Sequence, residues 1–225
     1  MALSKVNFNS MNVTPAASKA IKFNSSNNGL ETGDIGGNLV LISTTTVSSS
    51  SSTVNITSGI DSTYKEYIIK AINIHPSANS QFMINFSVDG GSNFNTNMQT
   101  AAFQVYHTEN DGSTQLNYRA GDDLTNGTDS DGNTSTYAFL SNTIGNDAKM
   151  CGDSIIHLFD PSNTTFVKNF MAKTQIYMDR DSPQLASVIQ YYAGYVNTTS
   201  AVNAVSFKMF DGTIDSGTFK LYGVK

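Results

Sequence analysis

Three histidines, one cysteine and one acidic loop are the groups in this chain whose residue types could support catalysis or metal binding. His75, His107 and His157 each lie in or beside a stretch with strand character. Their separations do not match the H-x-x-x-H spacing that brings two imidazoles to one metal. A single histidine in a strand is more often a packed or capping residue than a ligand. We therefore expect none of the three to be catalytic or metal-binding.

The acidic loop Asp129-Ser-Asp-Gly-Asn133 resembles the beginning of a calcium-binding loop, because alternate side-chain oxygens can converge on a hard cation. The residues that follow it do not include the glutamate that completes such a loop, so a solvated polar loop is the simpler interpretation. Cys151 is the only cysteine, which excludes an intramolecular disulfide and a cysteine-based zinc cage. These patterns predict no catalytic residue, no metal, no cofactor and no enzyme activity.

Aromatic residues cluster in one predicted strand, where Tyr191, Tyr192 and Tyr195 occupy both faces. Exposed aromatic rings can stack on sugar rings, so we take Tyr192 as a candidate residue of a receptor-binding face. Packing in the core or between subunits is the alternative role for the same side chains.

The overall composition argues against nucleic acid and membrane as partners. Only 14% of the residues are charged, and the formal net charge is −5. No cluster of lysines and arginines is present that could neutralise a run of phosphates. No apolar run approaches the length that crosses a bilayer. Met1 to Ala20 lacks the basic and apolar regions of a secretory signal, and the lone cysteine fits assembly in a reducing cytoplasm.

Strand signals begin at Leu39 and continue almost to the end of the chain. Phe82, Ile84, Phe86 and Val88 alternate with more polar positions, which is the period of a half-buried strand. Turn residues separate roughly ten such stretches at short spacings, without a convincing long helix. This pattern predicts an all-β fold, an antiparallel β-sandwich of jelly-roll type, over residues 39–225.

The first 38 residues have no sustained period and are rich in glycine and polar residues. We interpret residues 1–38 as an extended N-terminal attachment arm, with a disordered tail as the alternative. The run 16–23 is compatible with one turn of helix or with an edge strand. The arm mixes apolar residues with polar spacers, which suits strand addition to a neighbouring sheet edge. Its candidate interaction residues are Phe8, Val13, Ile21 and Phe23.

Several blocks of the sequence resemble a family of small virion proteins from marine bacteriophages, including phages of cyanobacteria and pelagic bacteria. The blocks are Met1–Ser10, Val13–Phe23, Ser58–Tyr64, Ile72–Pro76, Gly152–Met171 and Ile214–Gly223. The resemblance implies a β-sandwich component of the particle, described in such families as structural, tail-fibre or capsid-associated. It transfers no functional residue to a particular position of this chain.

We therefore expect a virion structural protein on the particle surface that binds other virion proteins. It would be either a capsid decoration subunit or a subunit of a tail fibre or other appendage. A homo-oligomer such as a trimer suits either position, because cyclic symmetry uses one surface several times. The alternative is a carbohydrate-binding module of a tail fibre that recognises a glycan of the host surface. A depolymerase is the least favoured function, because no acid–base pair can be assigned.

Overall fold

The computed structural model of the protein describes residues 13–14, 16, 19–34, 37–128, 137–180 and 184–225. The chain divides into two compact units, Met1–Asn38 and Leu39–Lys225. Apart from a single 3-10 turn at Ala120–Asp122, the regular structure of the described residues consists of strands. The strands are β1 Lys19–Phe23, β2 Leu30–Asp34, β3 Leu39–Val47, β4 Val54–Ile56, β5 Glu66–Pro76, β6 Ser80–Ser87, β7 Met98–Thr108, β8 Thr114–Tyr118, β9 Ala138–Ile144, β10 Gly152–Phe159, β11 Lys168–Arg180, β12 Gln184–Val196, β13 Ala204–Met209 and β14 Ile214–Val224.

Eight strands of the second unit follow the path of a jelly roll. Four of them lie side by side in the order β3-β14-β5-β10, and the other four in the order β4-β13-β6-β9. Counted along the chain, these orders are first-eighth-third-sixth and second-seventh-fourth-fifth. Two interlocked Greek keys with this connectivity make a double-sheet jelly roll. The prediction of an all-β, antiparallel, jelly-roll-like sandwich is confirmed.

Two insertions enlarge one of the sheets. β7 and β8 are inserted between β6 and β9, and β11 and β12 between β10 and β13. All four join the sheet beyond β10, in the order β11-β12-β7-β8, and every pairing is antiparallel. A sheet of eight strands therefore faces a sheet of four. The outer side of the larger sheet forms one continuous surface across all its strands.

Aromatic side chains join the inner faces of the two sheets. The rings of Phe82 and Phe207 stack with centroids 5.5 Å apart in the small sheet, and both contact Phe219 of the large sheet. Phe86 of the small sheet packs on Phe170 of the large sheet, with centroids 5.3 Å apart and the ring planes tilted by 54°. All five rings are almost completely buried. The period-2 pattern of β6 places its phenylalanines on this inner side because successive side chains of a strand point to opposite faces. Met83, Asn85 and Ser87 on its other face are buried as well, so β6 is not the half-buried strand that its pattern predicts.

Glycines at the turns take the left-handed conformation that the sequence indicates. Gly90 and Gly91, after β6, have φ angles of 76° and 88°, and Gly212 in the Asp211-Gly212 turn has 72°. Only glycine adopts such angles without steric cost. These turns reverse the chain at the predicted positions.

Sequence reasoning missed the short strands β4 and β8, which have three and five residues.

The N-terminal unit contains a hairpin, which corrects the expectation of an arm that is extended throughout. β1 pairs with β2 from Lys19–Asp34 to Phe23–Leu30. The polar cluster between the strands closes the hairpin, because the backbone amide of Asn24 donates to the carbonyl of Gly29 at 2.9 Å. Of the two structures proposed for residues 16–23, the strand is therefore correct over Lys19–Phe23.

We predict that Phe207→Ala destabilises the second unit by about 3–5 kcal/mol, because it leaves a cavity where two sheets meet. Urea denaturation followed by circular dichroism measures this free energy of unfolding. Leu116→Ala is the control, because Leu116 is 72% exposed, and its expected effect is within about 0.5 kcal/mol. A loss of less than about 1 kcal/mol for Phe207→Ala would contradict the assigned core.

Candidate functional site

The outer side of the eight-stranded sheet carries a contiguous group of exposed apolar side chains. We call this group the apolar face, and its exposed fractions are Leu116 72%, Tyr118 62%, Met171 55%, Phe103 44%, Val105 43%, Ile155 41% and Tyr191 37%. Strand register brings these residues together. Tyr191 lies opposite Phe103, and Phe103 lies opposite Tyr118 on the edge strand β8.

Small residues form a depression within the apolar face. Ala101 on β7 and Ala193 on β12 are directly opposite each other. Met171, Phe103, Tyr118 and Tyr191 surround them and enclose a surface hollow of about 420 Å³. Its lining consists almost entirely of carbon atoms, so its chemistry suits an apolar side chain better than a polar group.

The rings of Tyr191 and Phe103 stack on each other, with centroids 4.9 Å apart and planes 13° from parallel. The ammonium group of Lys173 also lies 5.7 Å from the centroid of the Tyr191 ring. These rings therefore use their π faces on neighbours from the same sheet. A platform for sugar stacking needs free ring faces, so this pair is a poor platform.

The prediction of Tyr192 as a surface interaction residue is wrong, because Tyr192 is only 2% exposed. Alternation along β12 turns Tyr191 outward and Tyr192 inward. The Tyr192 hydroxyl donates to Asp122 Oδ2 at 3.0 Å. Burial raises the pKa of Tyr192 well above its ordinary value, so the hydroxyl remains a donor. Packing in the interior, the alternative role considered above, is the one that the structure assigns to Tyr192.

Asp122 and Tyr192 belong to a chain of buried polar groups on the inner side of the large sheet. Arg119 donates two hydrogen bonds to Asp122, at 2.8 and 3.0 Å. Gln190 Nε2 donates to the Tyr192 hydroxyl at 3.2 Å and to Gln104 Oε1 at 3.4 Å. This chain attaches the segment after β8 to β12 and β7. Its members from Asp122 to Gln104 are buried and Arg119 is partly exposed, which indicates a structural role.

Each histidine has a local partner. His75 Nδ1 lies 2.7 Å from the carbonyl of Met150, His107 Nε2 lies 2.9 Å from Asp111, and His157 Nδ1 lies 2.6 Å from Glu66. Within the described ranges, no group of three or more metal-binding side chains is present. The predicted calcium-like loop, residues 129–133, lies outside those ranges.

Cys151 is half-buried, and burial raises the pKa of its thiol. A thiol with a raised pKa is mostly protonated at neutral pH and is a weak nucleophile. The geometry around Cys151 therefore does not provide an activated cysteine.

The hairpin of the first unit has an apolar side of its own. Ile21 and Phe23 lie on the same side of β1, and Leu30 lies opposite Phe23; their exposed fractions are 40%, 71% and 38%. Val13 is half-buried, and Phe8 lies outside the described residues. Two of the four arm residues named from the sequence, Ile21 and Phe23, thus share one exposed surface.

Comparisons with known proteins give little guidance. No family model and no curated protein matches the chain. An exo-inulinase from Aspergillus awamori is 13% identical with a TM-score of 0.29, over 92% of this chain and 34% of that chain. VP2 of infectious bursal disease virus, as a subviral particle, is 13% identical with a TM-score of 0.13, over 92% of this chain and 45% of that chain. This chain spans less than half the length of either, and likenesses this weak carry no argument.

Among the described residues, no helix has the length and apolar character to cross a membrane.

We predict that Tyr192→Phe lowers the free energy of unfolding by about 1–3 kcal/mol, because Asp122 loses a buried hydrogen-bond donor. Tyr191→Phe is the matched control, since its ring lies on the exposed side of the same strand, and we expect a change within about 0.5 kcal/mol. Urea denaturation of both variants gives the comparison. Equal stability of the two variants would rule out an energetic role for the buried polar chain.

Proposed function

We propose that this chain is a non-enzymatic structural subunit on the surface of a bacteriophage particle, where it binds other virion proteins. The apolar face of the eight-stranded sheet is the observation that carries this proposal. Its seven side chains present about 700 Å² of surface, taking about 200 Å² for a fully exposed large side chain.

The size and composition of the apolar face fit a protein interface. A standard interface buries about 800 Å² on each partner, and monomeric proteins seldom expose contiguous apolar patches beyond a few hundred Å². Aromatic residues and methionine are enriched at the centres of such interfaces. Four of the seven residues, Phe103, Tyr118, Met171 and Tyr191, are of these types.

The fold and the sequence resemblance support the same function. Double-sheet jelly rolls are used in viral capsid proteins, and also in lectins and cupins, so the fold alone does not choose among them. The resemblance of the sequence blocks to marine phage virion proteins favours the first of these classes.

A separate observation, on the hairpin of the arm, supports attachment to a partner. A two-stranded hairpin is at best marginally stable by itself in water. The hairpin of the arm nevertheless exposes Ile21, Phe23 and Leu30 on one side. Burial of these side chains against another virion protein would stabilise the hairpin, at about 25 cal/mol for each Å² removed from water.

Two positions on the particle agree with these features, a capsid decoration subunit and a subunit of a tail fibre or other appendage. A homo-oligomer such as a trimer would suit either position, because cyclic symmetry repeats one contact. Copy number separates them, since hundreds of copies per particle indicate the capsid and a few tens or fewer indicate the tail. Quantitative mass spectrometry of purified particles measures this number.

A carbohydrate-binding module is the second candidate, and the geometry favours it less. Tyr192 is buried, and the faces of the Tyr191 ring are used by Phe103 and Lys173. Such a module would show saturable binding of host polysaccharide by the purified chain.

We predict that the double substitution Leu116→Glu with Met171→Glu lowers incorporation into particles at least tenfold, because it places two charges in the apolar face. The folded chain should keep its free energy of unfolding within about 1 kcal/mol, since both side chains are exposed. Mass spectrometry of particles made by the variant phage measures incorporation. Phe166→Glu is the control, because Phe166 is 69% exposed but lies outside the apolar face. Normal incorporation of the double variant would remove the apolar face from the proposal.

We predict that deletion of residues 1–38 leaves a folded sandwich that no longer incorporates into particles. The second unit is compact by itself and contains the whole jelly roll, so circular dichroism should retain its strand signal and a cooperative melt. Incorporation at the level of the full chain would show that the arm is not required for attachment.

A further inference from the structure

A row of three lysines crosses the outer side of the large sheet next to the apolar face. Lys220 on β14 lies directly opposite Lys70 on β5, and Lys70 lies opposite Ile155 on β10. Ile155 in turn lies opposite Lys173 on β11. Strands lie about 4.8 Å apart, so the three lysines occupy a line of about 14 Å that runs perpendicular to the strands. We call this line the lysine row.

The lysine row includes one pair that is unfavourable for folding. Like charges directly opposite each other on neighbouring strands destabilise a sheet, and Lys70 and Lys220 form such a pair. The chain carries an excess of acidic residues, with a net charge of −5, yet its ion pairs between described residues involve other groups. The row is therefore a local concentration of positive charge on an acidic protein.

Two carboxylates of the same outer surface already have partners. Glu66 Oε1 lies 2.6 Å from His157 Nδ1. Asp153 Oδ1 accepts a hydrogen bond from the backbone amide of Asn73 at 2.8 Å. Neither is ion-paired with a lysine of the row, so the ammonium groups of the row can still bind carboxylates of a partner.

Aromatic rings define the positions of two of the ammonium groups. Lys70 Nζ lies 5.4 Å from the centroid of the Tyr222 ring, and Lys173 Nζ lies 5.7 Å from that of Tyr191. Such contacts are attractive because the face of an aromatic ring is electron-rich. The Lys173 contact holds one ammonium group at Tyr191 of the apolar face, whereas the Lys70 contact directs the other toward β14, at the far end of the row.

We infer that the apolar face and the lysine row together form one binding surface for an acidic protein. This inference rests on the proposed function and adds the chemistry of the partner. The partner presents apolar side chains to Phe103, Met171 and Leu116, and carboxylates to the lysine row. Charge complementarity at the rim of such an interface accelerates association and excludes partners of the wrong sign.

Other anionic ligands fit the surface less well. Nucleic acid would use the lysines but would leave about 700 Å² of apolar side chains without apolar partners. An anionic polysaccharide would need several free ring faces for stacking, and of the three aromatic residues of the apolar face Tyr191 and Phe103 stack on each other, which leaves Tyr118. A protein supplies both the apolar and the acidic groups.

The test compares two double charge reversals. Lys70→Glu with Lys173→Glu alters the lysine row, and Lys149→Glu with Lys208→Glu is the control. The control changes the net charge equally and also removes two cation–π contacts, with Tyr177 and Tyr137, outside the row and the apolar face. The probe is purified particles of the encoding phage from which this chain has been deleted. Sedimentation with labelled full-length chain measures binding at increasing NaCl concentration.

We expect the reversal in the lysine row to weaken binding to the particles at least tenfold in low salt, and the control to change it by less than twofold. Added NaCl should weaken wild-type binding, because salt screens the charges. The row variant should melt close to the wild-type temperature, since the carboxylate introduced by Lys70→Glu would face Lys220 and offset the two cation–π contacts that the substitutions remove. Equal binding by the two double variants would overturn this inference and leave the proposed function standing. Failure of the wild-type chain to bind the particles would overturn both.

Discussion

Phe82, Phe207 and Phe219 join the two sheets through their rings, and this contact determines which side of the large sheet faces the core. Because side chains alternate along a strand, a strand of the large sheet whose inner positions meet this core directs its remaining positions to the outer side of that sheet. The alternation continues from strand to strand through the register of the sheet. The same contact therefore creates the core and the outer surface on which the apolar face lies.

The unequal width of the sheets explains the two unusual features of the molecule. The added strands β11, β12, β7 and β8 extend the large sheet beyond its four jelly-roll strands. On the inner side of this extension, polar groups from Arg119 to Gln104 form the buried hydrogen-bonded chain. On the outer side, the extension carries most of the apolar face. A buried polar chain is stabilising only when its members have hydrogen-bond partners. A shift in strand pairing would break these hydrogen bonds, so the buried chain also restricts which residues lie on the outer side.

Much of the fold could be predicted from local patterns. The alternation of β6 and the glycine turns after β6 and at Gly212 indicate antiparallel strands without reference to the rest of the chain. The candidate site was harder to predict. Phe103 and Val105 alternate with Ala102 and Gln104, and both sets contain groups that could be buried or exposed. Only the position of β7 between β12 and β8 shows that the side of β7 that carries Phe103 and Val105 faces outward.

Lys168 illustrates the same difficulty, because it is a charged residue that is completely buried. Its ammonium group donates to the carbonyls of Phe166 and Thr198, at 2.7 and 3.2 Å. The second of these carbonyls lies 30 residues away in the sequence, so no local pattern could indicate the contact.

The sequence by itself determined the strand-rich character, the antiparallel sandwich and the poverty of charge, because these follow from residue type and from spacings within a few residues. The tertiary structure decided which tyrosine of β12 is buried, which apolar residues meet on the outer side, and that Lys70, Lys173 and Lys220 form one row. The physical reason is that these properties depend on strand pairing between residues far apart in the chain. A shift of one residue in that pairing would exchange the two faces of a strand while leaving its sequence unchanged.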